Sequence, residues 1–313
     1  MSAKKAKKRN ILITGISGNL GRILARRLHR DHKVIGVDMR PFKNGPKDIT
    51  VHHADLRKKR CEDIFRRTRI DAVVHLGLLH NPLLRADEHH SFNIDGTMKV
   101  LDYCARYKVP KLVLLSAANI YGARPANPTY LTEDAPLKAG LQYPEIRDLI
   151  EVDMLAQSFF WKHSEIETVI LRPVFIVGPN MKNAATRYLR LPVIPTLLGF
   201  NPMLQLIHEE DVLEAIVLAL SEGAKGIFNI VGPGAVPLSE IISELGKKSV
   251  PVPHPLAYGI AKRLWRWKLL RLPASELDFV RYICMVDGSR ANDILSFKPR
   301  YDLRDSIRSV LME

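Results

Sequence analysis

Cysteine is scarce in this chain: Cys61, Cys104 and Cys284 are widely separated, with no CxxC pair and no neighbouring histidine at metal spacing. That excludes a disulfide framework and a zinc ribbon, and it fits a reducing compartment. Long apolar runs are also missing, since no stretch reaches the roughly 18 residues that a membrane span needs. The tail Lys4, Lys5, Lys7, Lys8 and Arg9 followed by Ile11-Leu12-Ile13 imitates a signal peptide, but Thr14-Gly15 ends the apolar run at once. We therefore expect a cytoplasmic protein. Glycine (18) and proline (20) are too few for a collagen-like or low-complexity chain. Acidic residues are outnumbered 33 to 47, and the resulting net charge of +14 admits anionic partners.

What remains is an ordinary globular composition, 46% hydrophobic and 26% charged over 313 residues, enough for a large α/β domain with a smaller lobe. Short apolar runs at 10–14, 33–37, 49–53, 72–76, 111–115 and 168–171 alternate with helical spacing at 19–30, 92–107 and 144–162. Such alternation predicts βαβ crossovers, hence a Rossmann-type, doubly wound parallel sheet. We expect a basic tail at 1–9, a dinucleotide-binding domain at 10–178 and a mainly helical, substrate-binding lobe at 179–313. Within that lobe, 207–231 is expected to return to the main sheet. The strongly apolar stretch 191–206 suits the core of the lobe better than a lipid-like ligand.

Thr14-Gly15-Ile16-Ser17-Gly18-Asn19-Leu20-Gly21 lies between the first strand and the first helix, the context in which a glycine pattern has a mechanism. Gly15 permits the tight turn, Gly18 lets backbone N–H groups approach a pyrophosphate, and Gly21 allows close helix–strand packing. Ser17, Asn19 and Leu20 join them as candidate cofactor contacts. Asp38 follows the second strand about twenty residues on, where a carboxylate accepts hydrogen bonds from an adenosine ribose. It would repel a 2′-phosphate, favouring NAD over NADP; Arg40 tempers that preference.

With Asp55-Leu56, Val74-His75-Leu76-Gly77, Asn93-x-x-Gly96-Thr97, Ser116 to Gly122, Tyr143 with Arg147, Leu171-Arg172-Pro173, Val177-Gly178-Pro179 and Ile207 to Asp211 in order, the chain resembles the extended short-chain dehydrogenases/reductases. The resemblance is to their NAD-dependent epimerase/dehydratase group and covers nearly the whole chain. It implies that Asp55 and Leu56 flank the adenine, Leu76 and Gly77 line the cofactor channel, and Pro173 lies near the nicotinamide. Asn93 and Ser116 are further cofactor neighbours on the same ground. It also implies an acid/base role for Tyr143 and a homodimer through the helices at 92–107 and 144–162.

Two positions depart from the family pattern. The lysine expected four residues after the tyrosine is Arg147, which can stabilise a phenolate but has a rigid fork and does not release its proton. The expected Ser or Thr is Ala117; if strand alternation continues, Asn119 lies on the same side and its amide can serve a substrate carbonyl. The expected reaction is hydride transfer at a hydroxyl-bearing carbon, by an NAD-dependent oxidoreductase or epimerase; the competing reading is a non-catalytic NAD(P)-binding sensor. Arginines that grip a nucleotide-sugar diphosphate in the family are missing, with Leu204 at one such position. Lys182, Arg187 and Arg190 offer another grip for an anionic small molecule. The basic runs 57–60 and 262–271, the latter with Trp265 and Trp267, read as solvated faces ahead of membrane contact, and nucleic acid is not favoured. His52, His53, His89 and His90 have no HxxxH pairing and read as non-metal.

Overall fold

Runs that are apolar at successive positions, not alternate ones, become strands buried on both faces. A computed structural model describes residues 8–79, 86–141, 144–266 and 274–312. In chain order, β1 (Asn10–Thr14), α1 (Asn19–Leu28), β2 (Lys33–Asp38), β3 (Thr50–His53), α2 (Lys59–Arg67) and β4 (Ala72–His75) open the fold. They are followed by α3 (Ala86–His90), a π-helical turn (Ser91–Asp95), α4 (Gly96–Arg106), β5 (Lys111–Leu115), α5 (Pro144–Lys162) and β6 (Glu167–Pro173). Seven parallel strands form one sheet in the order β3-β2-β1-β4-β5-β6-β11, with β11 at Gly226–Ile230. The expected doubly wound sheet is therefore present.

Side-chain alternation divides the core between the two faces. Ile11, Ile13 and Val74 pack with Leu24 of α1 on one side, whereas Leu12, Val73 and Leu112 pack with Phe65, Val100 and Phe159 on the other. Leu20, Leu24 and Leu28 of α1 are buried at fourfold spacing, and Arg26 and Arg27 occupy its last turn, where cations complement the helix dipole.

Past Pro173 the regular strand–helix alternation ends. The remaining elements are β7 (Phe175–Val177), α6 (Ala184–Leu189), β8 (Val193–Leu197), β9 (Met203–Leu204), β10 (Leu206–His208), α7 (Glu209–Ala219), β12 (Val236–Pro237), α8 (Leu238–Glu244) and β13 (Lys248–Val252), with β11 between α7 and β12. Then come α9 (His254–Arg266), α10 (Ser289–Leu295) and α11 (Leu303–Arg308). Among the described residues the lobe is mainly helical, as expected, and three short two-stranded sheets, β10-β7, β12-β9 and β13-β8, are set among its helices. The cause is in the apolar stretch itself: Pro192 and Pro195 forbid a helix, and β-branched Val193, Ile194 and Thr196 suit a strand. Of 207–231 only β11 joins the main sheet; β10 pairs with β7, and α7 lies against α1, where Arg27 is ion-paired to Glu214. Ile194 and Leu206 are buried with Leu189, Leu238 and Ile241 in the lobe core, whereas Val193 and Leu198 of the same stretch remain exposed.

Candidate active site

The strand order reverses between β1 and β4, so their carboxyl ends border a crevice of the kind in which open α/β sheets bind ligands. Gly15 follows β1 with φ of +71°, and a Cβ there would lie 2.6 Å from the Leu76 carbonyl oxygen. Only glycine fits so close to the end of β4. A Cβ on Gly21 would lie 2.4 Å from the Gly15 carbonyl oxygen, so α1 starts in direct contact with the turn. Gly18 differs: its Cβ would meet the Gly15 carbonyl at 3.1 Å and Arg40 Nη2 at 3.5 Å. Gly77 and the buried Leu56 touch across the same floor, Leu56 Cδ1 lying 3.0 Å from the Cβ position of Gly77.

Beneath the turn, Gly77 N–H donates to Thr14 Oγ1 (3.1 Å), and Thr14 Oγ1 lies 2.7 Å from His75 Nδ1. His75 Nε2 lies 3.0 Å from Thr97 Oγ1. A neutral imidazole accepting at Nδ1 and donating at Nε2 satisfies this chain. Complete burial pushes the His75 pKa down to about 4. Unfolded histidine takes up its proton near pH 6.5, whereas folded His75 refuses it until near pH 4, so stability falls as pH falls through that window. We expect His75 to account for about 2 kcal/mol of lost stability between pH 7 and pH 5. Urea denaturation at the two pH values checks this, and His75→Asn, whatever its own stability, should lack that slope.

At the end of β2, Asp38 is buried and already engaged. Its carboxylate accepts from Ser17 N–H (2.9 Å), Arg40 N–H (2.8 Å) and both Nε and Nη2 of Arg40 (3.1 Å each). Asp55 repeats the arrangement after β3, accepting from the backbone and guanidinium of Arg57, which also reaches Ser91 Oγ. Although partial burial opposes it, this pairing holds the Asp55 carboxyl below its ordinary range. Arg57 is thereby committed within the fold, unlike the solvated residue expected of a basic run.

Past β5 the chain does not continue as strand. Ala117 is extended, but Ala118–Tyr121 form a 3-10 turn, so the alternation that predicted Asn119 beside Ala117 ends one residue too soon. The Asn119 Oδ1 and the hydroxyl of buried Ser116 are both sequestered from solvent without a hydrogen-bond partner among the described residues. Ser116 is tied to β6 by its N–H, 2.8 Å from the Leu171 carbonyl, and buried Pro173 ends that strand. Ile120 of the turn clusters with Ile146, Leu149 and Ile150, bringing α5 against it. Arg147 is exposed on α5 and forms no hydrogen bond to another described residue; Tyr143 lies outside the described residues. Tyr121, by contrast, is a structural phenol: burial pushes it up to about 12, and Arg172 Nη1 donates to its oxygen at 2.7 Å.

Several polar arrangements were not predicted. Asn93, in the π-helical turn, clamps the chain after β4 by accepting from Leu79 N–H (2.8 Å) and donating to the Leu79 carbonyl (3.1 Å). His89 and His90 converge on the buried Asp148 carboxylate, which pulls the His90 pKa upward through its hydrogen bond. Glu209 is a buried carboxylate, raised by burial, with Oε1 accepting from Asn180 Nδ2 (2.6 Å) and Oε2 without a described partner. The expected anion grip is largely spent: Arg190 donates to the carbonyls of Val310 and Met181, and Arg187 to that of Lys182. Trp267 and the end of the basic run at 262–271 lie outside the described residues, as do residues 1–7 of the tail. No described helix is long and apolar enough to cross a membrane.

Comparison with known proteins agrees with this fold. An uncharacterised protein of Mycobacterium tuberculosis is 28% identical over 93% of this chain and 80% of its own length. The Bacillus cereus UDP-glucuronic acid 4-epimerase, solved with UDP-glucuronic acid and NAD, superposes with a TM-score of 0.73 at 18% identity over 96% of this chain and 97% of that one. The Bordetella bronchiseptica enzyme WbmG, solved with NAD, gives 0.74 at 18% identity over 99% and 95%. At such identity these two structures speak for the fold. The model of the NAD-dependent epimerase/dehydratase family matches residues 11–231, the glycine turn through β11. The chain belongs to that family of NAD-dependent enzymes.

Proposed function

We propose that the chain transfers a hydride at a hydroxyl-bearing carbon of a small molecule, as an oxidoreductase or epimerase. Tyr143 is the acid/base, Arg147 its supporting cation, and Asn119 a donor to the substrate carbonyl. The observation that carries this reading is the packing of α5, with Arg147, on the turn that contains Asn119 at the end of β5. Asn119 Oδ1 in that turn and Ser116 Oγ just before it are buried without described partners, and the donor in the proposed role is the Asn119 amide nitrogen. NAD, when bound, supplies the hydride acceptor or donor; the protein holds it and moves the proton.

The residues around the glycine turn suit that cofactor. Gly15 and Gly21 face backbone, whereas Gly18 leaves room for a pyrophosphate, and Asp38 offers carboxylate oxygens for a ribose once Arg40 yields. NADP is disfavoured because its 2′-phosphate would meet Asp38. A methyl group at Gly18 would press on the Gly15 carbonyl oxygen at 3.1 Å, so Gly18→Ala is expected to fold with a small loss of stability and to weaken NAD binding about thirtyfold, as an overpacking cost of about 2 kcal/mol implies. Gly21→Ala should lower the melting temperature as well. Fluorescence titration with NAD beside thermal melting checks both; unchanged NAD affinity in Gly18→Ala would remove this assignment.

The substrate needs different recognition from that of the nucleotide-sugar neighbours, since Leu204 replaces a diphosphate-gripping arginine and Arg190 serves backbone carbonyls. Anionic and apolar small molecules are the two classes to test, although Arg187 and Arg190 are engaged by backbone carbonyls. A homodimer is the expected assembly: Met98 on α4 and Met154 and Trp161 on α5 leave large apolar side chains 44%, 56% and 78% exposed along the two helices. The test of function is reduced-nicotinamide fluorescence of the NAD-loaded protein challenged with nucleotide sugars and with fractionated anionic and apolar alcohols. Hydride transfer with any fraction supports the reading; tight NAD binding with no redox change across all fractions would overturn it.

A further inference from the structure

Asp148, on α5, is buried, and its two carboxylate oxygens are each met by a histidine from α3: His89 Nδ1 at 2.8 Å from Oδ2 and His90 Nδ1 at 2.9 Å from Oδ1. Glu151 lies three positions further along α5, on the same face as Asp148. One ligand atom from each of His90, Asp148 and Glu151 falls within 4.8 Å of the others. Two carboxylates so close repel one another, and among the described residues neither has a lysine or arginine hydrogen-bonded to it. Arg147 is adjacent in sequence but makes no such bond to another described residue.

We propose that this cluster is a zinc site, with His90, Asp148 and Glu151 as ligands and a water in the fourth position. An imidazole with two carboxylates is a donor set that zinc accepts in tetrahedral geometry, whereas magnesium and calcium prefer oxygen alone. Zinc–ligand bonds of about 2.0–2.2 Å put neighbouring ligand atoms about 3.3 Å apart, so His90 and Asp148 need only open slightly and Glu151 close. Half-exposed His90, its side chain 42% accessible, leaves a path for the ion and room for water. His89 then acts as a positioning residue: its Nδ1–H holds the second oxygen of Asp148, the carboxylate–histidine pairing by which outer partners orient metal ligands.

The fold gives the site a consequence. It joins α3 to α5, and the π-helical turn that follows α3 carries Asn93, whose amide holds Leu79 just past β4. A bound ion therefore fastens α5 to the segment that borders the switch-point crevice. Glu151 belongs with Tyr143 and Arg147 to the motif that carries the family resemblance, which gives it no role of its own; His89, His90 and Asp148 lie outside that motif, and the inference does not depend on the proposed hydride transfer.

Chelator-stripped full-length protein, titrated with zinc against a chromophoric chelator, is expected to take up one equivalent and to melt at higher temperature with zinc than without. His90→Ala, at a half-exposed position, should fold and lose that equivalent together with the zinc-dependent melting shift; Glu151→Gln should behave alike. His89→Ala should weaken binding about 10- to 100-fold without abolishing it. Cobalt substitution should give a tetrahedral visible spectrum that His90→Ala lacks. The proposal fails if the wild type takes up no zinc in the competition, or if folded His90→Ala binds it as the wild type does.

Discussion

Asp153→Ala is expected to lower the unfolding free energy by about 3–5 kcal/mol, the usual cost of leaving a buried charge without its partner. Arg172 and Asp153 are 1% and 0% exposed, and the guanidinium meets the carboxylate through Nε at 3.0 Å and Nη2 at 2.7 Å. Gln157 Nε2 adds a third donor to Asp153 at 2.7 Å. Truncation thus strands a cation in the interior, although Nη1 keeps the Tyr121 oxygen (2.7 Å) and the Glu133 carbonyl (2.9 Å). The loss spreads, because Tyr121 donates to Asn229 Oδ1 (2.9 Å) and Asn229 Nδ2 holds the carbonyls of Leu131 and Asp287. Burial alone would lower the arginine pKa, but Asp153 and Tyr121 carry it above its ordinary value, so the guanidinium remains charged. Urea denaturation of Asp153→Ala beside the double variant Asp153→Leu/Arg172→Met discriminates between charge and packing. The double variant, with no stranded charge, should recover most of the loss. A single variant within about 1 kcal/mol of the wild type would show that water or another partner compensates Arg172.

What the sequence revealed follows from how local each signal is. The glycine turn and Asp38 depend on a strand, a turn and a helix within one crossover, and the structure brings them together: Ser17 N–H reaches the Asp38 carboxylate. The strands of the main sheet were legible because burial on both faces demands continuous apolar runs, as at Ile11-Leu12-Ile13. Asn119 shows the limit of that reasoning. Alternation holds only while the chain remains extended, and the 3-10 turn at Ala118 ended it. The segment 191–206 was legible in part: its apolar content pointed to the lobe core, which Ile194 and Leu206 enter, whereas the short strands that Pro192 and Pro195 punctuate depend on pairing with distant segments, β8 with β13 and β9 with β12. Asp148 with His89 and His90 could not be found from spacing, as the partners are 59 and 58 residues apart and meet only through the packing of α3 on α5. Arg172 and Asp153 are similarly ordinary in sequence; only burial reveals that they form a charged pair in the core.

Tyr143→Phe is expected to reduce hydride transfer by about 10²–10⁴-fold while leaving NAD binding intact, the range typical of losing a positioned acid/base. A tyrosine with an ordinary pKa of about 10 is a weak base at neutral pH, so its phenolate needs a stabilising charge. Arg147 follows four residues later, one turn into α5, and is free of ion pairs to other described residues. A permanently charged guanidinium can lower the phenol pKa and donate to ribose hydroxyls, but it cannot pass on a proton as a lysine can. The proton must then leave Tyr143 by another route, through the ribose or solvent. This makes Arg147→Lys informative: it should retain transfer, whereas Arg147→Ala should lose most of it and shift the acid-side limb of the pH–rate profile for substrate oxidation upward. Single-turnover nicotinamide fluorescence with the active substrate fraction measures all three variants. Unimpaired transfer in Tyr143→Phe would move the acid/base role to another group, and an unshifted pH profile in Arg147→Ala would reduce Arg147 to a surface cation of α5.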